Sequence, residues 1–202
     1  GVSRNEGSYL SPKPDKQWSE AVFDELLANS QNQFHGLDLQ AVKHYYLGRV
    51  ANRSDPAAIR TAFYDYYGDV YITCPTYLFA QQLAKQSAPA RSVYFYELTY
   101  QGDRVLGGCD PVTMGICHGS ELSFVFGMDY MYSDKPLDKK FSKEVMDYWT
   151  SFAKTGVPTT EQKWPKLNDK SIIKDLNPYD FSKTLVQPFK ETCDQFWTKY
   201  FE

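Results

Sequence analysis

Apolar residues recur at helical spacing soon after the start of the chain. Trp18, Val22, Phe23, Leu26 and Leu27 share one face of residues 16–29, which follow the break Ser11-Pro12-Lys13-Pro14-Asp15. This pattern predicts an amphipathic helix entered at Asp15 and running to about Asn29. Helical spacing returns at 37–47 and 55–67. The second of these opens with Asp55-Pro56, a capping residue followed by proline at the first helical position. Residues 69–85 predict a longer, mostly buried helix with a turn or kink near Pro75, whose ring lacks an amide proton. The most regular stripe is Phe141, Val145, Tyr148, Trp149 and Phe152, predicting a helix over 137–155 that Gly156 stops. Pro188 opens a final helix carrying Phe189, Cys193, Phe196 and Trp197.

Between these helices the period changes. Residues 93–99, Val-Tyr-Phe-Tyr-Glu-Leu-Thr, are bulky at almost every position. That reads as a strand covered on both faces, as in a parallel sheet. Residues 171–176 and 184–186 predict late strands or a short hairpin. A loop is expected at 102–109, with Gly107-Gly108 at its tip, and a short helical turn at 121–127. No internal repeat or low-complexity linker breaks the chain.

The 202 residues are 42% hydrophobic and 23% charged, the values of an ordinary globular protein. A net charge of −3 with no strong run of either sign argues against a nucleic-acid partner. No window approaches the ~18 continuous apolar residues of a membrane span. The last residues, Lys199-Tyr-Phe-Glu202, show neither a prenylation box nor a hydrophobic anchor tail. The sixteen Tyr, thirteen Phe and four Trp fit either a well-packed core or an aromatic-lined pocket. The histidines lie far apart and the cysteines lack CxxC spacing, so no metal cluster is expected. No Gly-rich phosphate loop is present and no cofactor is implied. Cys74, Cys109, Cys117 and Cys193 allow three pairings. Cys109 and Cys117 bracket the approach to His118, as a local disulfide or as free thiols. Asn52-Arg53-Ser54 is a glycosylation sequon.

Chemistry concentrates in two stretches. Residues 114–126, Met-Gly-Ile-Cys-His-Gly-Ser-Glu-Leu-Ser-Phe-Val-Phe, put His118 on a Gly-flanked turn with Glu121 three residues on. An imidazole titrates near ~6.5 and can shuttle protons at neutral pH. His35 and His44 have no such setting and read as surface residues. The other stretch is Gly1-Val-Ser-Arg-Asn-Glu6-Gly-Ser-Tyr, a polar loop carrying Glu6. An acid followed about 110 residues later by a histidine is the tail of the order Ser…Asp/Glu…His.

These segments resemble the carboxylesterase type B (cholinesterase-like) family: "NEGSY" its acid loop and "GICHGSELSFVFG" its histidine loop. The likeness continues, in the family's order, through "GDVYITCPTYLFA", "YWTSFAKTGVP", "WPKL" and "CDQFW". The resemblance implies an α/β-hydrolase fold, here the C-terminal portion of its sheet, with a helical insertion between acid and histidine. It implies that Glu6 orients His118, which activates a serine and then protonates the leaving alcohol. Glu121 matches an acid below the family's active site and reads either as a support or as a cap for the following turn. Tyr9 and Leu10 match gorge positions that are aromatic in cholinesterases, and Ser120 replaces a choline-site tyrosine. Loss of aromatics at Leu10 and Ser120 favours a carboxylesterase acting on uncharged esters over one acting on acetylcholine. The family's disulfide pattern implies a Cys74–Cys193 bridge. Bridges and the sequon suit a secreted or extracellular protein and an oxidising compartment.

The family's serine sits in a G-x-S-x-G elbow. No serine here has glycines two residues away on both sides; Gly1-Val-Ser3-Arg-Asn5 lacks the second glycine, and there is no HGGG-type run. With a first residue other than methionine, the expectation is the C-terminal part of one longer hydrolase domain, inactive alone, with the nucleophile serine in the absent N-terminal part. The alternatives are a serine-less relative and a neuroligin-type adhesion module that works through surface contacts. The expected partner is a small-molecule ester; oligomeric state is not read from the sequence.

Overall fold

A computed structural model describes residues 1–34, 36–86, 92–104 and 107–201. The expectation for His35, and the Val105-Leu106 part of the predicted loop, lie outside the described residues. A four-stranded sheet of order β1-β2-β3-β4 divides the chain into two packed sides. β1 (Val2–Ser3), β2 (Tyr96–Leu98) and β3 (Ile172–Leu176) run parallel, and β4 (Thr184–Val186) closes the edge antiparallel to β3. Val2 pairs with Glu97 and Leu98 with Leu176. The late strands are therefore both a hairpin and an extension of the parallel sheet. Strand β2 is covered on both faces, as its continuous bulk requires.

Alternation along the strands sends side chains to two cores. On one side Val2, Phe95 and Ile173 pack with Phe23, Leu47, Phe63, Tyr66, Tyr77 and Trp197. On the other, Leu98 and Leu176 pack with Phe124, Phe141, Val145, Tyr148 and Trp164. The aromatic excess is thus spent largely on core.

The first core is built by helices that follow β1. Helix α1 (Glu6–Leu10) occupies what the sequence reads as loop. Helix α2 (Glu20–Asn29) starts later than Asp15 predicts, because Ser19 caps it by accepting the Val22 N–H. Trp18 instead packs on Phe63 and Tyr64 at 5.4 and 5.9 Å between centroids. Helix α3 (Leu39–Leu47) is capped by Asp38, and α4 (Pro56–Gly68) by Asp55 with Pro56 inside the first turn. The predicted helix over 69–85 has a π-helical turn, Asp69–Thr73, ahead of α5 (Cys74–Gln86). The irregularity lies one turn before Pro75, where the missing proline donor leaves a carbonyl without its partner.

The second core forms from helices after β2. These are α6 (Pro111–Met114), α7 (Leu122–Val125), α8 (Met128–Tyr132) and the long α9 (Pro136–Thr155). Gly156 ends α9 at φ 76°, a left-handed conformation suited to glycine. The last helix, Lys190–Trp197, is π-type and returns to the first core, where Cys193 bonds Cys74. A bridge closing so long a loop contributes about 2–4 kcal/mol.

Candidate active site

Ligand sites in parallel sheets lie beyond the carboxyl ends of the strands. The chain leaves β1 there and turns directly into α1. Arg4 N–H still bonds the Leu98 carbonyl of β2, but Asn5 changes partner: its N–H bonds the Ile116 carbonyl at 3.0 Å. Its side chain closes the pair, with Oδ1 accepting the Ile116 N–H at 3.0 Å. Asn5 therefore does not cap α1 with its side chain, and instead docks the loop that carries His118. Gly115, at φ 69°, makes room; a Cβ there would lie 2.3 Å from Asn5 Oδ1. The Cys109–Cys117 disulfide then ties the residue before His118 to the base of the α6 loop.

This docking brings Glu6 Oε2 to 2.6 Å from His118 Nδ1. The Glu6 side chain is only 4% exposed, whereas that of His118 is 46% exposed. With Nδ1–H donating to Glu6, Nε2 keeps its lone pair. The hydrogen bond to Glu6 raises the imidazole above its ordinary 6.5; the negative charges of Glu6 and Glu121 add to this, against the opposing effect of burial. Glu6 Oε1 accepts the Ser3 N–H at 2.5 Å. Both carboxylate oxygens of Glu6 are thus held by donors from different elements.

Helix α1 is fixed from behind. A Cβ on Gly7 would stand 2.1 Å from the Tyr64 carbonyl and 2.2 Å from Gly68 N, so glycine permits backbone-to-backbone contact with the end of α4. At the other end of α1, Lys13 Nζ donates to the Ser8 and Ser11 carbonyls. A cavity of about 660 Å³ is lined by Glu6, Arg4, Tyr46, Asp65 and Asp69, among others; His118 does not line it.

Glu121 does not cap the turn after it with its side chain, and its Oε2 accepts from Ser3 Oγ at 3.3 Å. Ser120 is buried, and its hydroxyl has no hydrogen-bond partner among the described residues. Tyr9 and Leu10 are exposed at the end of α1, with the Tyr9 ring against Gly108 of the disulfide loop. Asn52 is exposed beyond α3, and His44 is exposed on α3. Sequence reasoning passed over Asn5 and treated Ser3 only as an incomplete elbow. Both act through contacts with residues more than 110 positions away. The only local signal was two polar residues just ahead of the acid.

A buried carboxylate bonded to the Nδ1 of a half-exposed imidazole is an arrangement that can move a proton. The model of the carboxylesterase family matches residues 1–197. Carboxylesterase 3 of Homo sapiens is 29% identical over 221 residues, covering 98% of this chain and 36% of that protein. Carboxylesterase 5A of Felis catus is 31% identical over 163 residues, covering 76% of this chain and 28% of that protein. Acetylcholinesterase of Bungarus fasciatus is 31% identical over 169 residues, covering 79% of this chain and 27% of that protein. The chain spans about a third of the length of these curated relatives.

Proposed function

The chain belongs to the carboxylesterase family, and from that premise we propose that it supplies the acid and base of a serine ester hydrolase. Its fold is then the C-terminal part of one α/β-hydrolase domain, with α2 to α5 as the helical insertion between acid and histidine. The observation that carries this reading is the 2.6 Å contact between Glu6 and His118 beyond the end of β1. His118 Nε2 takes the proton from a serine hydroxyl as the oxygen attacks the ester carbonyl. Glu6 stabilises the imidazolium that results. The same proton then passes to the departing alkoxide, which leaves as an alcohol, and water repeats the cycle on the acyl-serine.

The serine comes from outside the 202 residues. Support for this is the lack of a G-x-S-x-G elbow and coverage of only 36% of the human relative. The substrate is a small uncharged ester, since Leu10 and Ser120 offer no aromatic ring to a quaternary ammonium. Two disulfides and the exposed Asn52 sequon support a secreted or extracellular location.

The test is to treat the full-length protein with a fluorophosphonate probe. The expected result is stoichiometric labelling of one serine upstream of Gly1, blocked by a short-chain ester. Absence of labelling, with Gly or Ala in the upstream elbow, overturns the reading in favour of a non-catalytic adhesion module.

A further inference from the structure

Glu6 bonds His118, the Glu121 charge also acts on it, and one small residue touches both carboxylates. Ser3 is 1% exposed in β1, the strand that runs into the site. Its backbone N–H donates to Glu6 Oε1 at 2.5 Å, and its hydroxyl donates to Glu121 Oε2 at 3.3 Å. The neighbouring Val2 faces the opposite core, so strand alternation aims the Ser3 side chain at the site side of the sheet. A hydroxyl has a single proton to give, and here it goes to Glu121.

We infer that Ser3 is a positioning residue: it holds the Glu121 carboxylate beside the Glu6–His118 pair, so that two negative charges, not one, favour the imidazolium formed during proton transfer. This rests on the proposed hydrolase reading but extends it to a residue outside the acid–base pair. Among the described residues, the charged groups that act on His118 are Glu6 from α1 and Glu121 from the turn before α7, and Tyr96 of β2 and the Gly1 amino group stand near the same two carboxylates. Glu6 makes the direct hydrogen bond. Glu121 acts through its charge alone, so its effect depends on where its carboxylate is held. Alanine at position 3 keeps the backbone donor to Glu6 and removes only the tether on Glu121. Threonine at position 3 keeps the hydroxyl.

The experiment uses the full-length protein and reads the His118 titration midpoint from its imidazole Cε1–H resonance in wild type, Ser3→Ala, Ser3→Thr, Glu121→Gln and the double variant Ser3→Ala/Glu121→Gln. Glu121→Gln is expected to lower the midpoint by about half a unit, a modest fraction of what a close opposite charge can do. Ser3→Ala should reproduce most of that shift, Ser3→Thr should restore the wild-type midpoint, and the double variant should add nothing to Glu121→Gln alone. The acidic limb of kcat/KM should move with the midpoint while KM stays fixed. Two outcomes overturn the proposal: Ser3→Ala leaving the midpoint in place while Glu121→Gln lowers it, or the two shifts adding in full. The resonance reports the tether whether or not ester is turned over. A coupled shift in a protein without esterase activity therefore overturns the hydrolase reading and leaves the tether standing.

Discussion

Two of the molecule's carboxyl–ring pairs have opposite characters. In one, Glu6 meets His118 at 2.6 Å; in the other, Asp69 accepts from the Tyr46 hydroxyl at 2.8 Å. Each pair stands beside a disulfide, Cys109–Cys117 for the first and Cys74–Cys193 for the second. They nearly meet, because Gly7 and Gly68 touch backbone to backbone and both carboxyls line the same cavity. The difference lies in the rings. His118 can take a positive charge, and the Glu6 hydrogen bond raises its proton affinity. Tyr46 cannot; burial, and then the Asp69 charge, hold its hydroxyl well above 10, so it stays a neutral hydroxyl. It also accepts the buried Trp197 Nε1–H at 2.7 Å, which fastens the last helix to α3 and to the π-helical turn. A carboxyl beside a ring becomes a proton-transfer pair or a structural latch according to what the ring can carry.

The largest effect that separates the two pairs should be on rate. On the proposed function, His118→Ala in the full-length protein is expected to lower kcat by roughly 10⁴-fold to 10⁶-fold with the melting temperature close to wild type. Glu6→Gln keeps the shape but loses the charge that favours the imidazolium, and should cost about 10²-fold to 10⁴-fold. Its acidic limb should also fall toward the ordinary histidine value, since the Glu6 hydrogen bond is the main cause of the raised pKa. Steady-state kinetics over pH 5 to 9 on a chromogenic short-chain ester measure both. Activity within tenfold of wild type in His118→Ala would erase the functional half of the contrast.

The two pairs were not equally legible. Glu6 and His118 stood out because each lies in a short Gly-containing motif, and their order along the chain has a chemical meaning. The latch left no such mark. Tyr46, Asp69 and Trp197 are far apart in sequence, and Tyr46 and Trp197 each look like one more aromatic in a helical stripe. Helix α1 was missed because Gly-Ser is poor helix sequence, and what holds it is the close approach of Gly68, a contact 61 residues away. The start of α2 was misplaced because Asp15 and Ser19 are both good capping residues, and only the packing of Trp18 on Phe63 decides between them. Strand β2 was recognised but is shorter than its bulky run, since the Val93 carbonyl accepts the Leu167 N–H outside the sheet.

Breaking the latch should cost stability and spare chemistry. Tyr46→Phe removes the donor to Asp69 and the acceptor for the Trp197 indole at once. Orphaning buried polar groups costs about 1–3 kcal/mol for each group left unpaired. The expected result is a lower urea midpoint with unchanged slope, and kcat within about twofold of wild type in the folded enzyme. A rate loss as large as that of Glu6→Gln would mean that the Gly7–Gly68 contact transmits the latch to the site, and the two pairs would then be one unit.

The smallest effect concerns pH, and it sharpens the contrast without breaking either pair. Crowding by protein atoms pushes Asp69 from 3.8 up to about 8, helped by the neighbouring charge of Asp65; the Tyr46 hydrogen bond and the Arg49 charge oppose the rise. Between pH 4 and 8 the folded chain therefore holds a proton on Asp69 that the unfolded chain has released. A folded state that binds the extra proton loses stability as pH rises. The contribution is complete below about 4 and gone above about 8. Because Asp69 opens onto the cavity and water moderates the penalty, the loss over that window should be on the order of 1–2 kcal/mol, well below the total that an unscreened shift would give at ~1.4 kcal/mol per unit. Asp69→Asn keeps an oxygen to accept from Tyr46 and cannot titrate. Other groups change alike in both proteins, so the difference in urea stability between Asp69→Asn and wild type should grow in favour of the variant from pH 5 to pH 8.5. His118 gives the same sign of slope by a different route. Its raised pKa contributes stability that is whole below 6.5 and lost as pH climbs through the folded value. Its side chain is nearly half exposed, so that contribution is small. A pH-dependent loss of stability that persists in Asp69→Asn but disappears in His118→Ala would move the titration from the latch to the Glu6–His118 pair.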